Sequence, residues 1–398
     1  MRPGARRSVL LITAYCGLLA SCGGPGRDAT PARNDPGVAA APDAAVQPEG
    51  ARFEDVTAQA GIAFRHVNGA TGQKYILETL GSGVCVFDYD GDGLQDIYVA
   101  NDDTPNFLWR NKGNGVFEEV GGLAGVALSE DGIPQAGMGT DMADYDNDGR
   151  LDIFVTNLAG ETNELYHNDG HGLFSDRTFA SGLGAPSLLD LGFGTFFFDP
   201  DNDGDLDVFV ANGHIIDNIG LYSDTVTFEQ RAALYRNVGG GRFERLPYPA
   251  GAPLEGRYVA RGAVAFDYDD DGDEDIVMTQ NNGPALLLRN AGAPARHWLT
   301  IVLAGAAPNR DAVGAAVTLV AGSVRQVRYA RTGSSYLSQG DRRLHFGLGS
   351  AAAVDKVVVR WPGRAGFEEE FTSVPIDRFV TLLQGKGRRI SGREAPAR

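Results

Sequence analysis

Asp88-Tyr89-Asp90-Gly91-Asp92-Gly93-Leu94-Gln95-Asp96 is written nearly unchanged three more times, beginning at Asp144, Asp199 and Asp267. Each copy has Asp at positions 1, 3, 5 and 9 and Gly at position 6. Sixteen carboxylates held this close repel one another unless a cation sits among them. Calcium suits them, because it takes about 6–8 hard oxygens at about 2.3–2.6 Å. Positions 1, 3 and 5 wind around one ion. The ligands expected are Asp88, Asp90, Asp92 and Asp96; Asp144, Asp146, Asp148 and Asp152; Asp199, Asp201, Asp203 and Asp207; and Asp267, Asp269, Asp271 and Asp275. The carbonyl at position 7 (Leu94, Arg150, Asp205, Asp273) adds an oxygen to each set. The position-6 glycines, Gly93, Gly149, Gly204 and Gly272, permit a turn that a Cβ would obstruct. About four calcium ions are therefore expected. Magnesium demands a tighter octahedron and keeps its waters. No Cys/His set for zinc is present.

The flanks decide the fold. Gly83-Val-Cys-Val-Phe87 precedes the first loop and Ile97-Tyr-Val-Ala100 follows it. These short apolar, β-branched and aromatic runs predict strands, whereas an EF-hand loop spans about twelve residues between helices. Each loop then clips a β-hairpin. A larger unit surrounds the hairpin. The units start at Phe53, Phe117, Phe174 and Phe243, which are 64, 57 and 69 residues apart. They close with Phe107-Leu-Trp-Arg-Asn111, Leu165-Tyr-His-Asn168, Leu234-Tyr-Arg-Asn237 and Leu287-Leu-Arg-Asn290. Four short strands per period is the pattern of a propeller blade.

These units resemble integrin-type FG-GAP (VCBS) repeats, as found in the cartilage acidic protein family and its bacterial relatives. The resemblance covers about residues 53–291. It implies that each Asp loop binds calcium at a blade edge in a mainly structural role. The fold expected over residues 51–293 is an all-β propeller with four clear repeats and four or five blades. Downstream, Asn309-Arg-Asp-Ala-Val-Gly314, Gly333-Ser-Ser-Tyr-Leu-Ser-Gln339, His345-Phe-Gly-Leu-Gly349 and Val357-Val-Val-Arg-Trp-Pro362 follow in order. This series is similar to the ASPIC/UnbV domain. Strands are expected at His297–Leu303, Ala316–Val320, Val324–Ala330, Lys356–Trp361 and Phe379–Leu383. They make residues 294–385 a small β-sandwich-like domain, with residues 386–398 as a basic disordered tail.

The N-terminus predicts an address. Arg2, Arg6 and Arg7 precede an apolar run from Val9 to Ala20, which reads as a signal peptide over residues 1–21. Leu19-Ala20-Ser21-Cys22 resembles a bacterial lipobox, with Cys22 as the lipidated residue. Gly23 after it resembles an outer-membrane sorting signal. Residues 22–50 read as a disordered tether with an r.m.s. span on the order of 30 Å. Membrane contact is thus expected through the lipid anchor only. Cys85, flanked by Val84 and Val86, has no partner in the mature chain and reads as a small buried strand residue.

Charge is divided unevenly. Residues 1–293 balance at −25 and residues 294–398 at +8, within a net −17. An acidic repeat region makes nucleic acid an improbable partner. No Gly-x-Ser-x-Gly elbow, His-Glu-x-x-His helix or Cys-His nucleophile arrangement occurs, so no enzyme signature is found. With only Trp109, Trp298 and Trp361, the Trp-docking repeats of a quinone-dependent dehydrogenase are also absent. Two insertions interrupt the repeats: one carries His66, Asn68 and Glu78, the other His214 and Asp217. These residues define a candidate ligand pocket at the propeller mouth, with Glu130 to Gln135 beside it. The leading expectation is a surface binding or assembly protein for a protein or glycan partner. The rival is a calcium-dependent hydrolase or lyase, which requires His66, Glu78, His214 and Asp217 to share one pocket.

Overall fold

The computed structural model describes residues 83–248, 251–291, 296–363 and 367–391. The expected signal peptide, Cys22, the tether and the insertion with His66, Asn68 and Glu78 lie outside them. The described residues are mostly β, arranged as several small sheets. Among them no helix is long and apolar enough to cross a membrane.

The repeats form successive antiparallel meanders. The first sheet comprises β1 (Gly83–Phe87), β2 (Asp96–Ala100), β3 (Phe107–Asn111) and β4 (Phe117–Glu119). The second comprises β5 (Thr140–Ala143), β6 (Asp152–Val155), β7 (Glu164–Gly170) and β8 (Leu173–Asp176). The third comprises β9 (Gly192–Phe198), β10 (Asp207–Asn212), β11 (Ala233–Asn237) and β12 (Phe243–Arg245). The fourth has three described strands, β13 (Ala260–Phe266), β14 (Asp275–Gln280) and β15 (Leu286–Leu288). The register repeats: Phe87 pairs with Asp96, Ala143 with Asp152, Phe198 with Asp207 and Phe266 with Asp275. The position-9 aspartate therefore opens the second strand of every sheet, and positions 1–8 form the connecting loop.

One sheet cannot bury both faces, so neighbours share cores. Tyr98 and Leu108 meet Ile153 and Tyr166 between the first two sheets. Phe154 and Leu165 meet Val208 and Tyr235 between the second and third. Phe196 and Phe209 meet Ala263 and Met278 between the third and fourth. Each large buried side chain contributes roughly 1.5–3 kcal/mol. Cys85 is buried in the first of these cores, as its alternation predicts.

The C-terminal module has two sheets around one core. The first sheet runs in the order β19 (Leu344–Gly349), β16 (His297–Ala304), β22 (Phe379–Leu383). The second runs β18 (Val324–Tyr329), β17 (Ala316–Ala321), β20 (Lys356–Arg360), β21 (Glu368–Phe371), β23 (Arg388–Ser391). Fully buried Trp361 sits in that core and donates Nε1–H to buried Glu369 at 2.8 Å. β23 corrects the expectation of a disordered tail from residue 386. Arg388 bonds Glu370 across the ladder, an opposite-charge pair that ties the edge strand to β21.

The two modules belong to one compact unit. Ser335, in the β18–β19 connection, reaches three repeat sheets. It exchanges backbone hydrogen bonds with Thr140, its Oγ accepts from Thr195 N–H, and its hydroxyl donates to the Ala263 carbonyl.

Candidate metal centres

The four loops are built alike. The position-1 carboxylate accepts the position-6 glycine N–H: Gly93 to Asp88 at 3.0 Å, Gly149 to Asp144 at 2.9 Å, Gly204 to Asp199 at 2.8 Å and Gly272 to Asp267 at 2.9 Å. Position 5 accepts the position-7 N–H, at 2.8 Å in Asp92 and Asp148, 2.9 Å in Asp203 and 3.0 Å in Asp271. The position-6 glycines have φ of 87°, 95°, 93° and 93°, the left-handed region expected of them. Position 4 is left-handed too, at Gly91, Asn147, Asn202 and Asp270. Asn and Asp tolerate that region, and this signal was open to reading in the sequence.

Position 9 does more than close a cage. Asp96, Asp152, Asp207 and Asp275 are buried and accept the N–H of Asn111, Asn168, Asn237 and Asn290 from the third strand, at 2.7, 2.8, 2.7 and 2.7 Å. Those asparagines were legible only as the ends of repeat motifs. The structure shows why they recur. Asn168 donates its amide to the carbonyl of Tyr89, Asn237 to that of Tyr145 and Asn290 to that of Pro200, each in the loop of the preceding sheet. Position-4 asparagines reach the other way. Asn147 bonds Asp205 and Asn202 bonds Asp273, each in the next loop. The four loops are one laterally bonded row.

The carboxylates converge as a cation requires. Ligand atoms of Asp88, Asp90 and Asp96 lie within 4.8 Å of one another, as do those of positions 1, 3 and 5 in the other three loops. Asp88 Oδ1 and Asp144 Oδ1 are buried and have no hydrogen-bond partner. A buried carboxylate oxygen without a donor is costly, and a cation is the partner it lacks. The donor sets, all oxygen apart from one histidine, fit a hard ion such as calcium. Burial raises Asp96 and Asp144 to about 7, Asp152 to about 6 and Asp207 to about 8. Burial also lifts Asp199 well above the carboxylate range.

Basic side chains line the rim. Arg110 lies 2.8 Å from Asp90, and Arg289 lies 2.8 Å from Asp269 and 3.2 Å from Asp271. His167 takes the equivalent place in the second loop, with Nδ1 3.1 Å from Asp152 and 3.5 Å from Asp146. It therefore belongs to a candidate ligand group with those two aspartates, although its position in the repeat reads as merely polar.

The expected ligand pocket does not assemble among the described residues. His214 is buried, and its Nδ1 accepts the Ile216 N–H at 3.1 Å within its own turn. Burial lowers its basicity. Asp217 is exposed. The turn after Gly213 thus buries the histidine and leaves the aspartate to solvent. Glu130, Asp131 and Gln135 instead line a concavity of about 230 Å³ with Glu161, Glu164 and Phe179. It lies at the end of the second sheet opposite the Asp loop. Burial there holds Glu164 up at about 8.

The FG-GAP-like repeat model matches residues 88–155, 144–210 and 199–278, and the ASPIC and UnbV model matches residues 305–389. Cartilage acidic protein 1 of Mus musculus is 31% identical over 336 residues, covering 81% of this chain and 47% of that protein. Its Homo sapiens counterpart is 30% identical, covering 78% and 43%. The chain thus spans about half the length of the curated relatives it matches. Among solved structures, an Agrocybe aegerita lectin recognising non-reducing terminal N-acetylglucosamine aligns at TM-score 0.29 and 20% identity, over 52% of this chain and 51% of that one. A Bacillus licheniformis rhamnogalacturonan lyase aligns at TM-score 0.29 and 14% identity, over 78% and 57%.

Proposed function

We propose, on the premise that this chain is an FG-GAP repeat protein with a C-terminal ASPIC and UnbV domain and a distant homologue of cartilage acidic protein 1, that it is a calcium-stabilised scaffold for binding at the cell surface. The observation that carries this reading is the row of four preorganised loops, two of them with a buried carboxylate oxygen that has no donor. About four calcium ions neutralise the loops and stiffen their row. The repeat sheets act as propeller blades, a reading supported by first strands that run side by side from β1 to β5, β9 and β13. Loops at the opposite end, including the concavity beside Glu130 and Phe179, meet a protein or glycan partner. The chain is exported and held at the outer membrane through Cys22. A Cys22→Ser variant that stays in the membrane fraction would remove the anchor from this reading.

The hydrolase or lyase alternative needs His66, Glu78, His214 and Asp217 in one pocket; His66 and Glu78 lie outside the described residues, and the burial of His214 beside an exposed Asp217 gives that reading no support. The experiment for the scaffold is thermal unfolding of residues 51–398 in excess calcium and in chelator, with bound metal counted by elemental analysis. About four ions and a large calcium-dependent rise in Tm are expected. No metal and no rise would leave the loops as acidic turns and overturn the reading.

A further inference from the structure

The Asp loops face the C-terminal module, and that module places a basic or bulky group on each of them. A Cβ on Gly149 would come within 2.4 Å of Arg325 Nη1, and one on Gly272 within 2.0 Å of Trp298 Cε2. A Cβ on Gly204 would lie 3.0 Å from Gln326 Nε2. Arg296 lies 2.7 Å from Asp201, and Arg343 donates to the carbonyl of Asp267 at 2.6 Å. In the first loop Arg360 Nη1 donates to Asp88 Oδ2 at 3.0 Å.

This last contact differs from the rim pairs. Asp88 Oδ2 already accepts the Gly93 N–H, so Arg360 completes that oxygen's partners. The other oxygen, Oδ1, is left buried with no donor. Together with the Gly93 N–H, Arg360 thereby holds Asp88 with Oδ1 available to a cation. It can do so rigidly. Arg360 ends β20, pairs in register with Ala316 and Glu368, and stands between buried Val359 and Trp361. Arg110, by contrast, approaches Asp90 from the exposed side.

We propose that the C-terminal module supplies the outer coordination sphere of the Asp loops, with Arg360 as the positioning residue for calcium in the first loop. The inference rests on the calcium reading above. Groups that hydrogen-bond a ligating carboxylate typically alter metal affinity about 10–100-fold when removed.

The test is calcium titration calorimetry on the full chain, comparing wild type with Arg360→Ala and Arg360→Lys. Arg360→Ala is expected to weaken one of about four sites about 10–100-fold. Arg360→Lys restores part of that loss. In a chain already carrying Asp90→Ala and Asp92→Ala, Arg360→Ala has no further effect. If Arg360→Ala fails to fold, Arg360→Lys against wild type carries the same comparison, with a smaller loss confined to one site. Four unchanged affinities in Arg360→Ala, or an equal fall at all sites, overturns the positioning role and leaves the calcium scaffold intact. A wild type that binds no calcium overturns both.

Discussion

Protons compete with any cation for the loop carboxylates. The ordinary aspartate value is near 3.8, and burial lifts Asp96 and Asp144 to about 7 and Asp207 to about 8. Between those limits the folded chain holds protons that the unfolded chain has released. Their contribution to stability is full below about pH 4 and is lost as pH rises through the folded values. In chelator, Tm is therefore expected to fall between pH 5 and pH 8. The calcium-induced rise in Tm should grow over the same window, since ions displace fewer protons. A chelator Tm that climbs from pH 5 to 8 would contradict this. Single ligands follow the same logic. Asp148→Ala is expected to remove one ion and, at calcium about a hundredfold above its Kd, about 2.7 kcal/mol of stability. In chelator the variant should melt close to wild type. Parallel losses in both conditions would assign Asp148 a purely structural role.

Hairpins become a row through the asparagine in the later part of each third strand or just beyond it. Asn237 is buried; its N–H donates to Asp207, and its side-chain amide donates to the carbonyls of Leu206 and of the preceding loop's Tyr145. Asn237→Ala would leave two carbonyls without a donor inside the protein. A loss of about 1–3 kcal/mol is expected. Urea unfolding should report it in calcium and in chelator alike, because the bonds bridge sheets and not ligands. A loss seen only in calcium would move Asn237 into the metal site. The asparagine was visible in the sequence as the last letter of Leu-Tyr-x-Asn. Its role was not, because the partner carbonyl lies in another repeat.

Two oppositely charged halves meet along the loop face. Residues 1–293 carry −25 and residues 294–398 carry +8. Part of that asymmetry is spent within the molecule, as Arg360, Arg296 and Arg343 contact loop residues. Partly buried Arg328 has the charges of Asp199, Asp144 and Glu274 around it. Gly272→Ala tests the packing: strain at φ of 93° and collision with Trp298 act together. Its Tm is expected to drop by several degrees in calcium, with the indole fluorescence of Trp298 shifted to the red. A variant with unchanged Tm and emission would mean that the modules do not rest on one another there.

Much was legible before any contact was known. The Asp spacing named the loops, the position-6 glycines named the turns, and apolar alternation placed β1 and β2 as well as β16 to β18, β20 and β22. These are local properties: a nine-residue loop carries its own ligands, and period-2 alternation is written along one strand. β21 and β23 escaped because their ladder is charged and lies at an edge, where alternation of apolar residues does not apply. That His214 is buried while Asp217 is exposed could not be read from the sequence, because side-chain direction in an irregular turn depends on what packs behind it. Lateral bonds from Asn168, Asn237 and Asn290, and the contact of Arg360 with Asp88, join residues up to 272 positions apart. Such pairs are set by how sheets stack and modules dock, so only the tertiary structure could decide them.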